Sequence, residues 1–79
     1  DFSILPNPSN GLFAIQMNQL NTQPITMNIR DALGISMINQ TYDFNGVLDI
    51  DARILPTGLY WIEIQQGEYR KNKKLIIRR

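Results

Sequence analysis

Residues 55–65, which read Leu-Pro-Thr-Gly-Leu-Tyr-Trp-Ile-Glu-Ile-Gln, constrain the fold more than any other stretch of this chain. Pro56 fixes φ near its turn value and Gly58 tolerates a positive φ, so we expect the chain to reverse direction there. Aromatic and aliphatic side chains then recur at period two on one side of the run: Tyr60, Ile62 and Ile64. This alternation is typical of a half-buried β-strand, and we interpret the run as the central strand of a sheet.

Turn residues divide the rest of the chain into seven or eight short runs, and no segment shows a helical period. Connections this short favour antiparallel pairing of strands that are neighbours in sequence. The sequence therefore predicts one all-β domain over residues 1–79, a small antiparallel two-sheet β-sandwich. Residues 18–24 are polar and predict a surface loop. Met37 and Ile38 are adjacent apolar residues that interrupt the alternation, so we expect a bulge or a sheet edge there.

The inward side chains of these runs predict one core between the two sheets. Its predicted members are Phe13, Ile15, Ile25, Met27, Ile29, Leu48, Ile50, Tyr60, Ile62, Ile64, Leu75 and Ile77. A chain of 79 residues should bury only about 60–65% of its unfolded surface, so we expect a small margin of stability.

The chain contains neither cysteine nor histidine. A thiol nucleophile, a cysteine-based zinc site and the usual general base are therefore excluded, and we expect no enzyme activity and no cofactor. Asp49 and Asp51 lie two residues apart on a predicted strand, but no third ligand stands at a recognisable spacing. We interpret them as a solvated strand face.

Positive charge is concentrated in the last ten residues, which hold six Lys or Arg and no acid. The first 69 residues hold two Arg and seven acids. Leu75, Ile76 and Ile77 interrupt the basic residues, which disfavours nucleic-acid binding, and no apolar run is long enough to insert into a membrane. The charges either protect an edge strand from aggregation or mark a recognition element that docks by strand addition.

Trp61 falls on the outward side of the central strand. An exposed indole offers a sugar-stacking face and an N–H donor, whereas in a two-sheet domain a loop commonly covers such a ring. We expect a covering loop here.

Four motifs in order carry a family resemblance: Pro-Asn-Pro-Ser-Asn-Gly, Asp-Ala-Leu-Gly, Leu-Pro-Thr-Gly-Leu-Tyr, and a terminal Lys-Lys-Leu-Ile-Ile-Arg-Arg. Together they resemble the type A C-terminal sorting domain of type IX secretion system cargo in Bacteroidetes, over essentially the whole chain. The matched residues of the first three motifs are Pro6, Asn7, Pro8, Gly11, Asp31, Gly34, Leu55, Pro56, Gly58 and Tyr60. The terminal motif comprises Lys73, Lys74, Leu75, Ile76, Ile77, Arg78 and Arg79, and the resemblance implies that the translocon recognises it. The family's usual Tyr or Phe before the first proline is Leu5 here.

The resemblance implies an immunoglobulin-like β-sandwich of about seven strands. It also implies that the attached cargo crosses the periplasm, passes the outer-membrane translocon and reaches the cell surface or the medium. A cell-surface, sortase-like protease then typically removes the domain. The chain begins with Asp1, so we expect it to be a fragment of a longer secreted protein whose cleavage site lies near or before that residue.

Two hypotheses remain open. A sorting domain predicts that the last residues are exposed or at an edge, and that their loss stops export but leaves the fold mostly intact. A β-sandwich spacer or carbohydrate- or protein-binding module predicts affinity for a glycan through exposed aromatics such as Trp61. Under either hypothesis, a long edge strand predicts edge-to-edge or strand-exchanged dimers.

Overall fold

A computed structural model describes residues 2–18 and 23–79. These residues form seven β-strands and no helix. The strands are β1 (Phe2–Leu5), β2 (Leu12–Met17), β3 (Ile25–Asp31), β4 (Ser36–Tyr42), β5 (Val47–Asp51), β6 (Gly58–Gln66) and β7 (Tyr69–Ile77). The loop predicted for residues 18–24 lies mostly outside the described residues.

The strands form two antiparallel sheets. One sheet has the order β1-β2-β5, and the other has the order β4-β3-β6-β7. The predicted all-β, two-sheet sandwich is thus confirmed. β6 lies between β3 and β7 inside the four-stranded sheet. This position agrees with the interpretation of residues 55–65 as the central strand of a sheet. β7 and β4 form the two edges of that sheet.

β4 contains the predicted irregularity. Ile29 pairs with Ile38, but the next residue, Arg30, pairs with Ser36, so the register shifts and Met37 is the extra residue of a bulge. The prediction of a bulge or an edge at Met37 is confirmed on both counts, because β4 is also an edge strand.

The two sheets enclose a single hydrophobic core. All predicted core residues are buried except Leu48, which is half-buried and packs against the core. Sequence analysis missed six further members: Phe2, Ile4, Met17, Phe44, Ala52 and Leu55. Most of them lie on β1, at strand ends or in connections, where a run is too short to show its alternation.

β7 begins at Tyr69, four residues before the terminal motif, because residues 69–72 continue the pairing with β6 without a shift up to the Gln66 and Tyr69 pair. One local prediction is wrong. Gly58 does not have a positive φ; it is the first residue of β6 and pairs with Ile77. The reversal lies just before it, where the N–H of Leu55 donates to the carbonyl of Ala52 over 3.0 Å.

Candidate functional site

The four sequence motifs lie at one end of the four-stranded sheet. Tyr60, near the start of β6, pairs with Leu75 near the end of β7 and with Asp31 at the end of β3. Antiparallel pairing brings the beginning of one strand beside the end of its neighbour, so residues distant in sequence become adjacent here. Asp31 begins the second motif, Asp-Ala-Leu-Gly, which forms the hairpin between β3 and β4. The opening motif reaches the same end from the other sheet.

The opening motif covers the outer edge of β7. Asn7 Nδ2 donates to the carbonyl of Lys74 over 2.7 Å, and Asn7 Oδ1 accepts from the N–H of Ile76 over 3.0 Å. The N–H of Ser9 donates to the carbonyl of Ile76, and the carbonyl of Ser9 accepts from the N–H of Arg78, at 2.8 and 2.7 Å. The chain therefore leaves β1 in one sheet and closes the edge of the other.

Gly11 is in contact with the far end of the chain. Its φ is +111°, and a Cβ at this position would lie 2.9 Å from Cα of Arg53 and 3.1 Å from Nη2 of Arg79. Both the backbone conformation and the space therefore require glycine. We call residues 7–11, 53–58 and 74–79 the terminal cluster.

Arg79 is held by its side chain inside this cluster. Its guanidinium donates to the carbonyls of Leu55 and Arg53, over 2.5 and 2.6 Å. Arg53 in turn is fixed by Asp51, whose carboxylate accepts from its backbone N–H, Nε and Nη2 over 3.1, 3.0 and 2.8 Å. These bonds lower the pKa of Asp51 to about 2, so the pair stays ionised over the physiological range.

The Leu-Pro-Thr-Gly motif is tied to the strand that follows it. The hydroxyl of Tyr60 donates to the carbonyl of Pro56 over 2.6 Å, and Leu55 is buried in the core. The Asp31 hairpin is fixed in a similar way, since Asp31 Oδ1 accepts from the N–H groups of Leu33 and Ile35. Gly34 has a φ of +87°, in the left-handed region that glycine tolerates.

The terminal motif combines core and surface residues. Leu75 and Ile77 are completely buried, and Ile76 is half-buried. The expectation that loss of residues 74–79 leaves the fold mostly intact is therefore at odds with the structure, because both apolar side chains are part of the core.

The basic side chains of the terminal motif point away from the core. Lys74, Arg78 and Arg79 are exposed, while Lys73 is half-buried with its ammonium 5.8 Å from the centroid of the Phe2 ring. Lys74 holds its ammonium 5.9 Å from the Trp61 ring centroid, within the range of a cation–π contact.

Trp61 is 43% exposed, so the expectation of a covering loop is wrong. It lies between Arg30 and Lys74 in a row across the sheet. Odd-numbered residues at this part of β6 face solvent because the inner face is filled by Ile62 and Ile64.

The site consists of buried apolar side chains and exposed cations. In residues 2–18 and 23–79, no group of three or more acidic side chains could hold a metal ion. Asp49 and Asp51 are both exposed on β5, in agreement with a solvated strand face. Among the same residues, no helix has the length and hydrophobicity needed to cross a membrane.

A family model described as "Secretion system C-terminal sorting domain" matches residues 3–78. The chain belongs to this family. No protein of curated function matches the chain. The sorting domain is a type IX secretion signal, which implies a secreted or cell-surface protein and an interaction with the type IX machinery. The family is not a class of enzymes.

Nearly all motif residues of the sorting domain lie in one region. One further residue of that region, Arg53, could not be identified from the sequence. Arg53 belongs to none of the four motifs, and its carbonyl binds Arg79. The only available signal was its position two residues after Asp51 and two before Leu55, which is an ordinary spacing for a turn.

Proposed function

We propose that the outer-membrane translocon recognises this sorting domain through the terminal motif, residues 73–79. One observation carries the proposal: the exposed cations Lys74 and Arg78 flank two buried anchors, Leu75 and Ile77. The anchors fix the position of the cations relative to the whole sandwich. A partner with acidic groups therefore meets a preformed array of charges, which lowers the entropic cost of binding.

The cargo precedes the domain in the same chain, crosses the periplasm of a Bacteroidetes cell and leaves through the translocon. A cell-surface protease then removes the domain near or before Asp1, and the cargo is attached or released. Asn7 and Ser9 are hydrogen-bonded to β7, so the opening motif, which follows β1, lies beside the recognised strand.

The proposal is tested by export of a fluorescent protein that carries an upstream signal peptide and residues 1–79 at its C-terminus. The double variant Lys74→Gln/Arg78→Gln removes two exposed charges and leaves Leu75 and Ile77 in the core. We expect the wild-type fusion in the medium or at the surface and the variant in the periplasm. Circular dichroism of the purified domain verifies that the variant is folded.

The matched control is Arg30→Gln/Lys71→Gln, which removes the same charge outside the terminal motif and outside the terminal cluster. Arg30 forms one half-exposed ion pair, at 3.7 Å to Glu63, and Lys71 is exposed, so the stability should change little. We expect normal export of this control. Equal export of both double variants would show that the terminal cations are not the address.

Exposure of Trp61 favours the second candidate function, a saccharide-binding module. The Lys74 ammonium near the ring competes with a stacking sugar for the same face, which is why we place this function second. Calorimetric titration against a glycan panel distinguishes the two, since a sorting domain without lectin activity gives no heat of binding.

A further inference from the structure

The outer edge of β7 has two halves that differ in their hydrogen bonding. The opening motif covers the second half, and its bonds end at the carbonyl of Lys74. The register with β6 is continuous from Ile77 to Tyr69, so the backbone groups that point outward recur at every second residue. The N–H of Lys74 and both backbone groups of Asn72 and Arg70 therefore point away from the sheet.

These outward groups have no hydrogen-bond partner within the part of the chain that the structure describes. We call residues 70–74 the basic edge. Five residues of strand span about 14 Å, which is long enough to pair with a partner strand of typical length. A free edge of this kind is a template for strand addition.

The side chains of the basic edge define the chemistry of a partner. Arg70, Lys71 and Lys74 are exposed, and Lys73 is half-buried. Glu63 lies 3.8 Å from Arg70 and also approaches Arg30 at 3.7 Å, so it offsets part of this charge. The edge therefore keeps a net positive charge. A second copy of the chain would place like charges across the new strand pair, which disfavours self-association through this edge.

We propose that the basic edge binds an extended, acidic segment of a partner protein as a fifth strand of the four-stranded sheet, next to β7. Residues 70–72 lie outside the terminal motif, so this inference goes beyond the proposed recognition by the translocon. The added strand would continue the row of backbone bonds that Asn7 and Ser9 begin on the same side of β7.

Asn72 allows a sharp test, because its N–H points away from β6 and an edge strand tolerates proline at such a position. Asn72→Pro removes the outward donor, and Asn72→Ala is the matched control that keeps it. The probe is a ten-residue peptide of alternating Glu and Val, and the charge control is its Lys and Val counterpart. Binding to the chain of residues 1–79 is measured by calorimetry at low and high salt.

We expect the Glu peptide to bind the wild-type chain and Asn72→Ala, and to bind Asn72→Pro at least tenfold more weakly. Binding should fall with added salt, and the Lys peptide should not bind. Equal affinity of the Glu peptide for both variants would show that only the charges of the edge bind it, and would overturn strand addition. Absence of binding to the wild-type chain would overturn it as well.

Amide hydrogen exchange of the wild-type chain provides a second readout that does not depend on folding of the proline variant. Bound peptide should slow exchange at Arg70, Asn72 and Lys74 at least tenfold and leave the loops unchanged. If these amides become protected when only the protein concentration is raised, and sedimentation shows a dimer, the partner at this edge is a second copy of the chain and not an acidic segment. Export is not part of this experiment, so its failure leaves the proposed function standing.

Discussion

At the scale of single residues, Gly11 shows how one position joins distant parts of the chain. It combines a φ of +111° with a close approach to Arg53 and Arg79. We expect Gly11→Ala to lower the free energy of unfolding by about 1–3 kcal/mol, because the backbone is strained and the neighbouring backbone must move. Urea unfolding measures this loss.

Gly34→Ala is the control for Gly11→Ala. Gly34 also has a positive φ, +87°, but no atom lies within 4 Å of the position of a Cβ. Gly34→Ala should therefore destabilise the chain by strain alone and by less than Gly11→Ala. An equal loss at both positions would show that contact with the terminal cluster adds nothing.

Turn chemistry made several of these residues predictable, and contacts made others unpredictable. Asp31 and Gly34 were identified from the sequence as motif residues, and their turn is local, because an Asp that caps its own turn and a glycine in the left-handed region act on neighbouring residues. Gly58 was misassigned for a related reason, since the local pattern suited a positive φ although the residue pairs within the sheet. The bonds of Arg79 depend on a chain reversal 24 residues earlier, which no local pattern reveals.

At the scale of elements, the opening motif acts as a cover for β7. Asn7 makes two hydrogen bonds to this strand, and both join side chain to backbone. We expect Asn7→Ala to lower the free energy of unfolding by about 1–3 kcal/mol, since each of the two bonds contributes about 0.5–1.5 kcal/mol. Amide exchange at Ile76 should become faster, because its acceptor is lost.

Asn10→Ala is the matched control for the cover. Asn10 Oδ1 accepts one bond from the N–H of Leu12, within its own turn, and none from β7. Exchange at Ile76 should remain as in the wild type. If Asn7→Ala leaves the Ile76 exchange rate unchanged, the cover does not protect the strand.

The elements that the sequence identified are those with alternating apolar residues. β2, β3, β5 and β6 each place apolar residues on their core side at period two, so their pattern survives in the sequence. The first half of β7 reads Tyr-Arg-Lys-Asn-Lys and lacks that pattern. It is a strand because β6 offers a continuous row of partners, which is a tertiary effect on a weak local preference.

At the scale of the whole molecule, the accessible surface of 4971 Å² is about 62% smaller than expected for the unfolded chain, as the chain length predicts.

The sheet order could not be read from the sequence, because β3 pairs with β6 across two intervening strands and only the folded molecule brings the four motifs together. A domain with so little buried surface cannot lose part of its core without unfolding.

Truncation therefore separates anchoring from recognition. Deletion of residues 74–79 removes Leu75 and Ile77, each completely buried, and loss of one such side chain costs about 2–5 kcal/mol. We expect this truncated chain to be unfolded, with collapsed dispersion in its amide proton spectrum. Deletion of Arg78 and Arg79 alone removes exposed residues and the bonds of the terminal cluster, so that chain should fold with reduced stability.

The two truncated chains decide how an export defect is to be interpreted. A chain that lacks residues 74–79 and is unfolded fails in export whether or not the translocon reads its last residues, whereas a folded chain that lacks only Arg78 and Arg79 tests recognition itself. A well-dispersed spectrum for the longer deletion would contradict the structural role of Leu75 and Ile77. The terminal strand would then be an address carried by an otherwise complete sandwich, since its apolar residues would contribute to binding the partner and not to the stability of the domain.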